Sequence, residues 1–324
     1  MVTAGAWAIG GGPYWGDTDE TQAVDALRAA MDHGIDAIDT APIYGLGHSE
    51  RMVGKAIEGR RDEVKVLTKV GLRWDREEGD LFFESTQPGG GVFKVYRNSR
   101  PDSVKEEVDA SLERLGIDCI DLVQVHWNDP TTPIADTMGA LAEVRAAGKV
   151  RQVGVSNYDP GMLEQAQAAL GEVPLASNQP KYSLLARDIE EDVLPWTRAH
   201  DVGILVYSPL EQGLLTGKVR GDRHFAAGSG RDRRPTFRPA NRSAVNGVLD
   251  TVVQPIAAAH GKSLAQTIIA WTVQVPGITT ALVGVRTMEQ AKENAGAGDL
   301  ELSEDEFAAI DQAFSSLQLD LSED

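Results

Sequence analysis

The chain has 324 residues, of which 42% are hydrophobic and 25% charged, the proportions of a globular protein rather than a disordered one. A formal net charge of −18 disfavours nucleic acid and anionic membranes as partners, because like charges repel. No apolar run reaches the roughly 18–20 residues of a membrane helix, residues 1–12 lack the basic and apolar regions of a signal peptide, and the single cysteine, Cys119, has no partner for an internal disulfide; a cytoplasmic address is the resulting expectation.

Short runs rich in Val, Ile and Leu alternate along the chain with amphipathic stretches. A strand is predicted over 6–9. A helix follows over 21–33, where Val24, Leu27, Ala30 and Met31 recur at helical spacing behind Asp19 and Glu20 and ahead of Gly34. Strands over 35–39 and 64–69 come next. A helix over 104–115 repeats the plan with Val108, Leu112 and Leu115 before Gly116, and leads to a strand over 119–126. The alternation continues with helix 134–147, strand 150–155, helix 160–170, strand 175–179, helix 189–200 and strand 204–207. Helices over 244–259 and 264–274 precede the eighth strand, 280–284. A helix carrying Gln290 and Asn294 follows, and the last helix opens on the capping box Ser303-Glu-Asp-Glu306.

Eight strands alternating with helices predict one α/β domain over 1–324, a (β/α)8 TIM barrel with an extra C-terminal helix. An open doubly wound sheet is disfavoured, because Gly10-Gly11-Gly12 runs into Pro13 and lacks the third glycine of a dinucleotide fingerprint. Two connections, 71–99 and 211–242, are too long for plain loops. Both follow strands, so both belong at the C-terminal face, where barrel active sites are built. The first carries Trp74, Phe82, Phe83, Phe93 and Tyr96 around Gly89-Gly90-Gly91; the second carries Arg231, Arg233 and Arg234.

Four polar residues fall where such a barrel gathers its catalytic groups: Asp39 at the end of strand two, Tyr44 in the loop behind it, Lys69 ending strand three and His126 ending strand four. A tyrosine with an ordinary pKa near 10 is a reluctant acid at neutral pH. A nearby Lys69 ammonium is expected to lower that pKa, with Asp39 holding the ammonium charged. His126 can donate a hydrogen bond to a carbonyl oxygen. Together they form a proton donor, its tuner, its orienter and an oxyanion stabiliser, a set that lets a proton reach oxygen while hydride reaches carbon. The six histidines show no metal-ligand spacing with Cys or carboxylates, so no metal is expected. A Schiff-base aldolase using Lys69 is an alternative, weakened because Asp39 would keep that lysine protonated. A cofactor-binding sensor of the same fold is another, since fold alone does not settle function.

The run Asp39-Thr-Ala-Pro-Ile-Tyr44-Gly-Leu-Gly-His-Ser-Glu50 resembles the aldo-keto reductase signature. So do Leu67-Thr-Lys69-Val-Gly, Ile120-Asp-Leu-Val-Gln-Val-His126-Trp127, Gly148-Lys-Val-Arg-Gln-Val-Gly-Val-Ser156-Asn157 and Tyr207-Ser-Pro-Leu-Glu-Gln-Gly-Leu-Leu-Thr-Gly-Lys218. Gly11-Gly-Pro-Tyr-Trp-Gly16 and Lys94-Val-Tyr-Arg-Asn-Ser99 resemble bacterial members of the glyceraldehyde-reductase type. The resemblance implies an NADP(H)-dependent oxidoreductase acting on a small-molecule carbonyl or alcohol, with Asp39, Tyr44, Lys69 and His126 as its tetrad. It implies that Ser156, Asn157 and Gln179 hold the nicotinamide carboxamide and that Tyr207 stacks on the ring. Ser208, Leu210, Gly213, Leu215 and Lys218 would line the pyrophosphate, and Gly284, Arg286, Gln290 and Asn294 the adenosine end. Trp15, Trp127 and Asn128 would shape a substrate pocket for small hydroxylated aldehydes. Two departures stand out. The family usually begins with a hairpin that covers the barrel bottom whereas this sequence starts almost at strand one, and Gln212 stands where related reductases often carry a basic residue.

Overall fold

The computed structural model describes residues 1–12, 15–86, 91–225 and 230–322. Eight parallel strands close a barrel in the order β1 (Val2–Gly5), β2 (Ala37–Asp39), β3 (Lys65–Val70), β7 (Ile120–Val125), β8 (Val150–Ser156), β9 (Leu175–Gln179), β10 (Gly203–Tyr207) and β11 (Ile278–Gly284), with β11 returning to β1. The remaining strands, β4 (Leu72–Arg73), β5 (Asp80–Thr86) and β6 (Val92–Arg97), form a separate antiparallel sheet in the order β4-β6-β5. Helices α1 (Glu20–Asp32), α2 (His48–Ile57), α3 (Pro101–Leu115), α4 (Ile134–Ala146), α5 (Pro160–Leu170), α6 (Val193–Ala199), α7 (Pro239–Val248), α8 (Gln254–Ala259), α9 (Leu264–Gln274) and α10 (Met288–Ala295) surround the barrel, and α11 (Glu304–Ser315) is the extra C-terminal helix. Among the described residues no helix is long and apolar enough to cross a membrane.

The core has two parts, as a closed barrel requires. Residues pointing outward from the strands, such as Ala4, Ile38, Val66, Val123, Val153 and Ile204, pack against the apolar stripes of the helices. Residues pointing inward form a smaller cluster of Ala37, Leu67, Leu122, Leu205 and Leu282. That layer fills the inside of the barrel, and ligand sites of this fold are built at the C-terminal rim.

Three elements differ from expectation. The first strand is Val2–Gly5, because Ala8–Gly10 turns into a 3-10 helix; an apolar run of alanines and Ile9 does not by itself separate the two. Helix α2 lies inside the motif that reads as a loop, and it buries Ser49, Met52, Val53, Ala56 and Ile57 at helical spacing. The helix expected over 244–259 begins at Pro239 and is interrupted by a π-helical turn, Leu249–Val253, just ahead of Pro255, whose nitrogen cannot donate.

The antiparallel sheet is anchored to the barrel through Glu107 of α3. Its carboxylate accepts a hydrogen bond from the Gly71 amide at 2.9 Å, while the other oxygen has no partner among the described residues. Burial pushes the Glu107 carboxyl up to about 8 despite the opposing charge of Arg73. The folded state therefore keeps a proton that the unfolded chain loses above its ordinary 4.5. Native protein then binds more protons than unfolded protein, so this residue lowers stability as pH rises from about 4.5 to about 8. Glu107→Gln keeps the acceptor for Gly71 and removes the titration. Its melting temperature, relative to the parent, is expected to climb across that window and level off above it; a difference that stays flat with pH would contradict the assignment.

Candidate active site

Because all eight barrel strands run the same way, the residues at their C-terminal ends meet around one opening. Asp39 closes β2, Lys69 sits one residue before the end of β3, and His126 is the residue after β7. Tyr44 is delivered by the turn behind β2, which packs backbone to backbone on the turn behind β1. A Cβ on Gly10 would meet the Tyr44 carbonyl carbon at 2.6 Å, and Gly45, at φ +63°, takes the left-handed conformation that glycine accepts without strain. This glycine contact fixes Tyr44 over the barrel mouth.

Under the tyrosine lies a closed set of ionic contacts. Lys69 is 1% exposed. Its Nζ donates to Asp39 Oδ1 at 2.7 Å and to the Thr40 carbonyl at 2.9 Å, and lies 5.1 Å from the centre of the Tyr44 ring. The second oxygen of Asp39 accepts from Gln179 Nε2 at 2.9 Å. His126 meets Tyr44 edge-on, with ring centres 5.8 Å apart.

The electrostatics follow from burial and from this pairing. Burial alone would depress the Lys69 pKa, but the charge of Asp39 and the neighbouring Tyr44 outweigh it, and the pKa is raised. A lysine so held is an ammonium and a poor nucleophile, which removes support from the Schiff-base alternative. Burial drives the Tyr44 pKa up, and the opposing Lys69 charge does not overcome it. This corrects the expectation that Lys69 would bring Tyr44 down. Tyr44 is a neutral phenol with a proton to give. His126 is pushed well below its usual value, first by burial and then by the Lys69 charge, so its imidazole is neutral and serves as a hydrogen-bond donor from one nitrogen.

From this floor a continuous cavity of about 1060 Å³ extends across the rim. Ser156, Asn157, Gln179, Tyr207, Ser208, Leu210, Gly213, Lys218, Gly284, Arg286, Gln290 and Asn294 line it, as do Trp15 and Trp127. Leu215 and Asn128 do not. Leu215 is fully buried in the core between strands and helices, and Asn128 is half-buried outside the cavity wall. Near the floor the polar groups are joined: Ser156 Oγ donates to the Gln179 carbonyl at 2.6 Å, Asn157 Nδ2 to Ser156 Oγ at 2.9 Å, and the Tyr207 hydroxyl to Asn157 Oδ1 at 2.9 Å. The turn after β10 places Glu211, Gln212 and Gly213 at consecutive positive φ values, backbone strain of the kind that concentrates at functional sites.

Part of the cavity wall is cationic, against the sign of the whole chain. Arg223, Arg231, Arg234 and Arg286 all line it, and no carboxylate among the described residues pairs with them. Burial and repulsion from Arg223 and Arg286 lower the Arg231 pKa. With its amide oxygen turned inward, Gln212 accepts from Arg234 at 2.8 Å, so a guanidinium reaches the place where a basic residue was missed in the sequence. Of the basic cluster in the second long connection, Arg231 and Arg234 face the cavity and Arg233 does not; Arg223, outside that cluster, was not anticipated. Arg286 donates to the carbonyls of Trp15 and Asp17 at 3.1 and 3.2 Å, tying the loop after β1 to the end of β11. Pro13 and Tyr14 of the motif around Trp15, and Gly89 and Gly90, lie outside the described residues.

A neutral phenol beside a neutral imidazole can protonate an oxygen while hydride reaches the attached carbon, and the buried ammonium steadies the phenolate left behind. The molecule is thus a barrel oxidoreductase of carbonyls and alcohols. The family model described as "Aldo/keto reductase family" matches residues 1–314, and the chain belongs to that family. It is 37% identical to the NADH-specific methylglyoxal reductase of Escherichia coli, over 97% of this chain and 94% of that one. Among solved structures it resembles the glycerol dehydrogenase of Gluconobacter oxydans (TM-score 0.85, 35% identity, 97% and 91% of the two chains). It also resembles an aldo/keto reductase from Klebsiella pneumoniae in complex with NADP and acetate (TM-score 0.71, 29% identity, 99% and 95%).

Proposed function

We propose that this reductase uses NADP(H) and that Tyr44 gives the carbonyl oxygen its proton, with Lys69, Asp39 and His126 in support. The observation that carries the reading is the neutral Tyr44 held against the buried Lys69–Asp39 pair at the floor of the cavity. When bound, the dinucleotide supplies or accepts the hydride. The chain's own residues do the rest. His126 orients the carbonyl oxygen toward Tyr44, and the ammonium of Lys69 stabilises the developing phenolate. Ser156, Asn157 and Gln179 hold the carboxamide, and Tyr207 backs the nicotinamide ring. Guanidiniums without carboxylate partners suit the dinucleotide phosphates, because an acidic chain gains little from crowding cations together unless an anion joins them. The partner is a small carbonyl or alcohol, and a cytoplasmic address accompanies this reading.

The Escherichia coli relative is named for NADH and the Klebsiella structure contains NADP, so the choice between cofactors has to be made by individual residues. Only the 2′-phosphate separates the two. Arg286 precedes α10, and its two carbonyl contacts hold the guanidinium in place with further N–H groups to spare. Losing a charge-assisted contact costs about 1.5–3 kcal/mol, one to two decades in affinity. In fluorescence titrations Arg286→Ala is expected to weaken NADPH binding by that amount and NADH binding far less. Equal losses, or a parent protein that prefers NADH, would remove Arg286 from this role.

A further inference from the structure

The sheet over the cavity contains an irregularity with a consequence for substrate choice. Along β5 and β6 the ladder pairs Leu81 with Tyr96 and then Phe83 with Val95, so two steps on β5 answer one step on β6. Phe82 is the extra residue of a β-bulge. In an unbroken strand Phe82 and Phe83 would face opposite sides of the sheet. Here both line the cavity, and their rings touch edge to face with centres 5.5 Å apart. Bulges beside active sites re-aim side chains in this way.

The first ring of the pair is fixed. Phe82 lies 5.5 Å from Trp127, the residue after His126, and carries the Arg97 guanidinium 5.0 Å from its centre. Phe83 stands further out and is 38% exposed. From the catalytic histidine outward the wall therefore runs Trp127, Phe82, Phe83. Phe93 adds to it from β6, where it pairs with Ser85. Among the described residues of this sheet, Ser85 is the one polar side chain on the cavity wall. Deeper in, both oxygens of Asp39 and both ends of the Asn157 amide already have partners. A substrate bearing several hydroxyls would bury some of them against Phe82, Phe83 and Phe93, which offer no exchange for lost water. A flat apolar substituent would cover Phe83 and lose nothing.

We infer that the Phe82–Phe83 bulge is the specificity element of the reductase, and that it selects carbonyls attached to a flat apolar group, aryl aldehydes, over short polyhydroxylated ones. This inference rests on the proposed carbonyl reduction and replaces the expectation of small hydroxylated substrates. That expectation rested on the resemblance to glyceraldehyde-type reductases and on a pocket of Trp15, Trp127 and Asn128, of which Asn128 does not line the cavity.

The test measures kcat/KM for benzaldehyde and glyceraldehyde with NADPH, in the parent and in Phe83→Ala, with Phe83→Leu as a milder change should the alanine variant fold poorly. The parent is expected to favour benzaldehyde by about tenfold or more, within the range an apolar pocket can discriminate. Phe83→Ala is expected to lower the benzaldehyde value about five- to tenfold through KM. Its glyceraldehyde value should change less than about twofold, and NADPH affinity and melting temperature should stay put. A preference for glyceraldehyde, or equal losses on both aldehydes, overturns the inference while leaving carbonyl reduction standing. Reduction of neither aldehyde by a protein that binds NADPH overturns the proposed function and takes the inference with it.

Discussion

Replacing Tyr44 with phenylalanine is expected to lower kcat by at least about 10²-fold, the scale on which enzymes depend on a positioned acid. The substitution removes one oxygen and leaves the ring that packs against His126 and Trp7. The glycine contact holding the turn involves backbone only, so folding should survive. NADPH affinity should be close to that of the parent, because the hydroxyl removed is not among the groups proposed to hold the dinucleotide. The readout is therefore a split: binding kept, turnover lost. A Tyr44→Phe variant turning over near the parental rate would mean that another group delivers the proton.

Lys69→Met is expected to cost stability as well as turnover. The two side chains of the ion pair are 1% and 5% exposed, and methionine leaves the Asp39 carboxylate buried with only Gln179 for company. Removing one partner of a buried pair costs about 3–5 kcal/mol, since the other charge is stranded away from water. Chemical denaturation should show a loss of that order. Adding Asp39→Asn should return part of it, because the stranded charge is gone, while activity stays low. A single variant as stable as the parent would show that the pair is not what holds the floor of the site together. A double variant no better than the single one would place the cost in packing instead of charge.

That Asp39, Tyr44, Lys69 and His126 gather at one opening was readable before the structure, because strand order decides it. Once Asp39, Lys69 and His126 are placed at or next to the C-terminal ends of neighbouring parallel strands, closure of the barrel brings them together. The periodic helices were readable for the same reason, and α2 could have been: Ser49, Met52, Val53, Ala56 and Ile57 follow helical spacing inside a motif read only for its chemistry. Other features depend on what burial and loop path do, and residue identity does not carry these. Tyr44 and Lys69 as a pair suggest a lowered phenol pKa, yet desolvation outweighs the ammonium and raises it. Leu215 lies within a run that the resemblance assigned to the pyrophosphate, but its side chain is buried in the core. The arginines of the second long connection look alike in sequence, and only the course of that connection decides that Arg231 and Arg234 face inward. The aromatic residues of the first connection announced a pocket wall. The bulge that turns two consecutive phenylalanines the same way is visible only in the ladder register.

Following nicotinamide absorbance tests most directly whether this barrel moves hydride to a carbonyl with Tyr44 as the proton donor. The protein, NADPH and an aldehyde are mixed without added metal, beside Tyr44→Phe under the same conditions. The parent is expected to lose reduced nicotinamide in step with alcohol formed, and the variant almost none although it binds NADPH. NADPH bound tightly by the parent with no aldehyde of a broad panel consumed would contradict it.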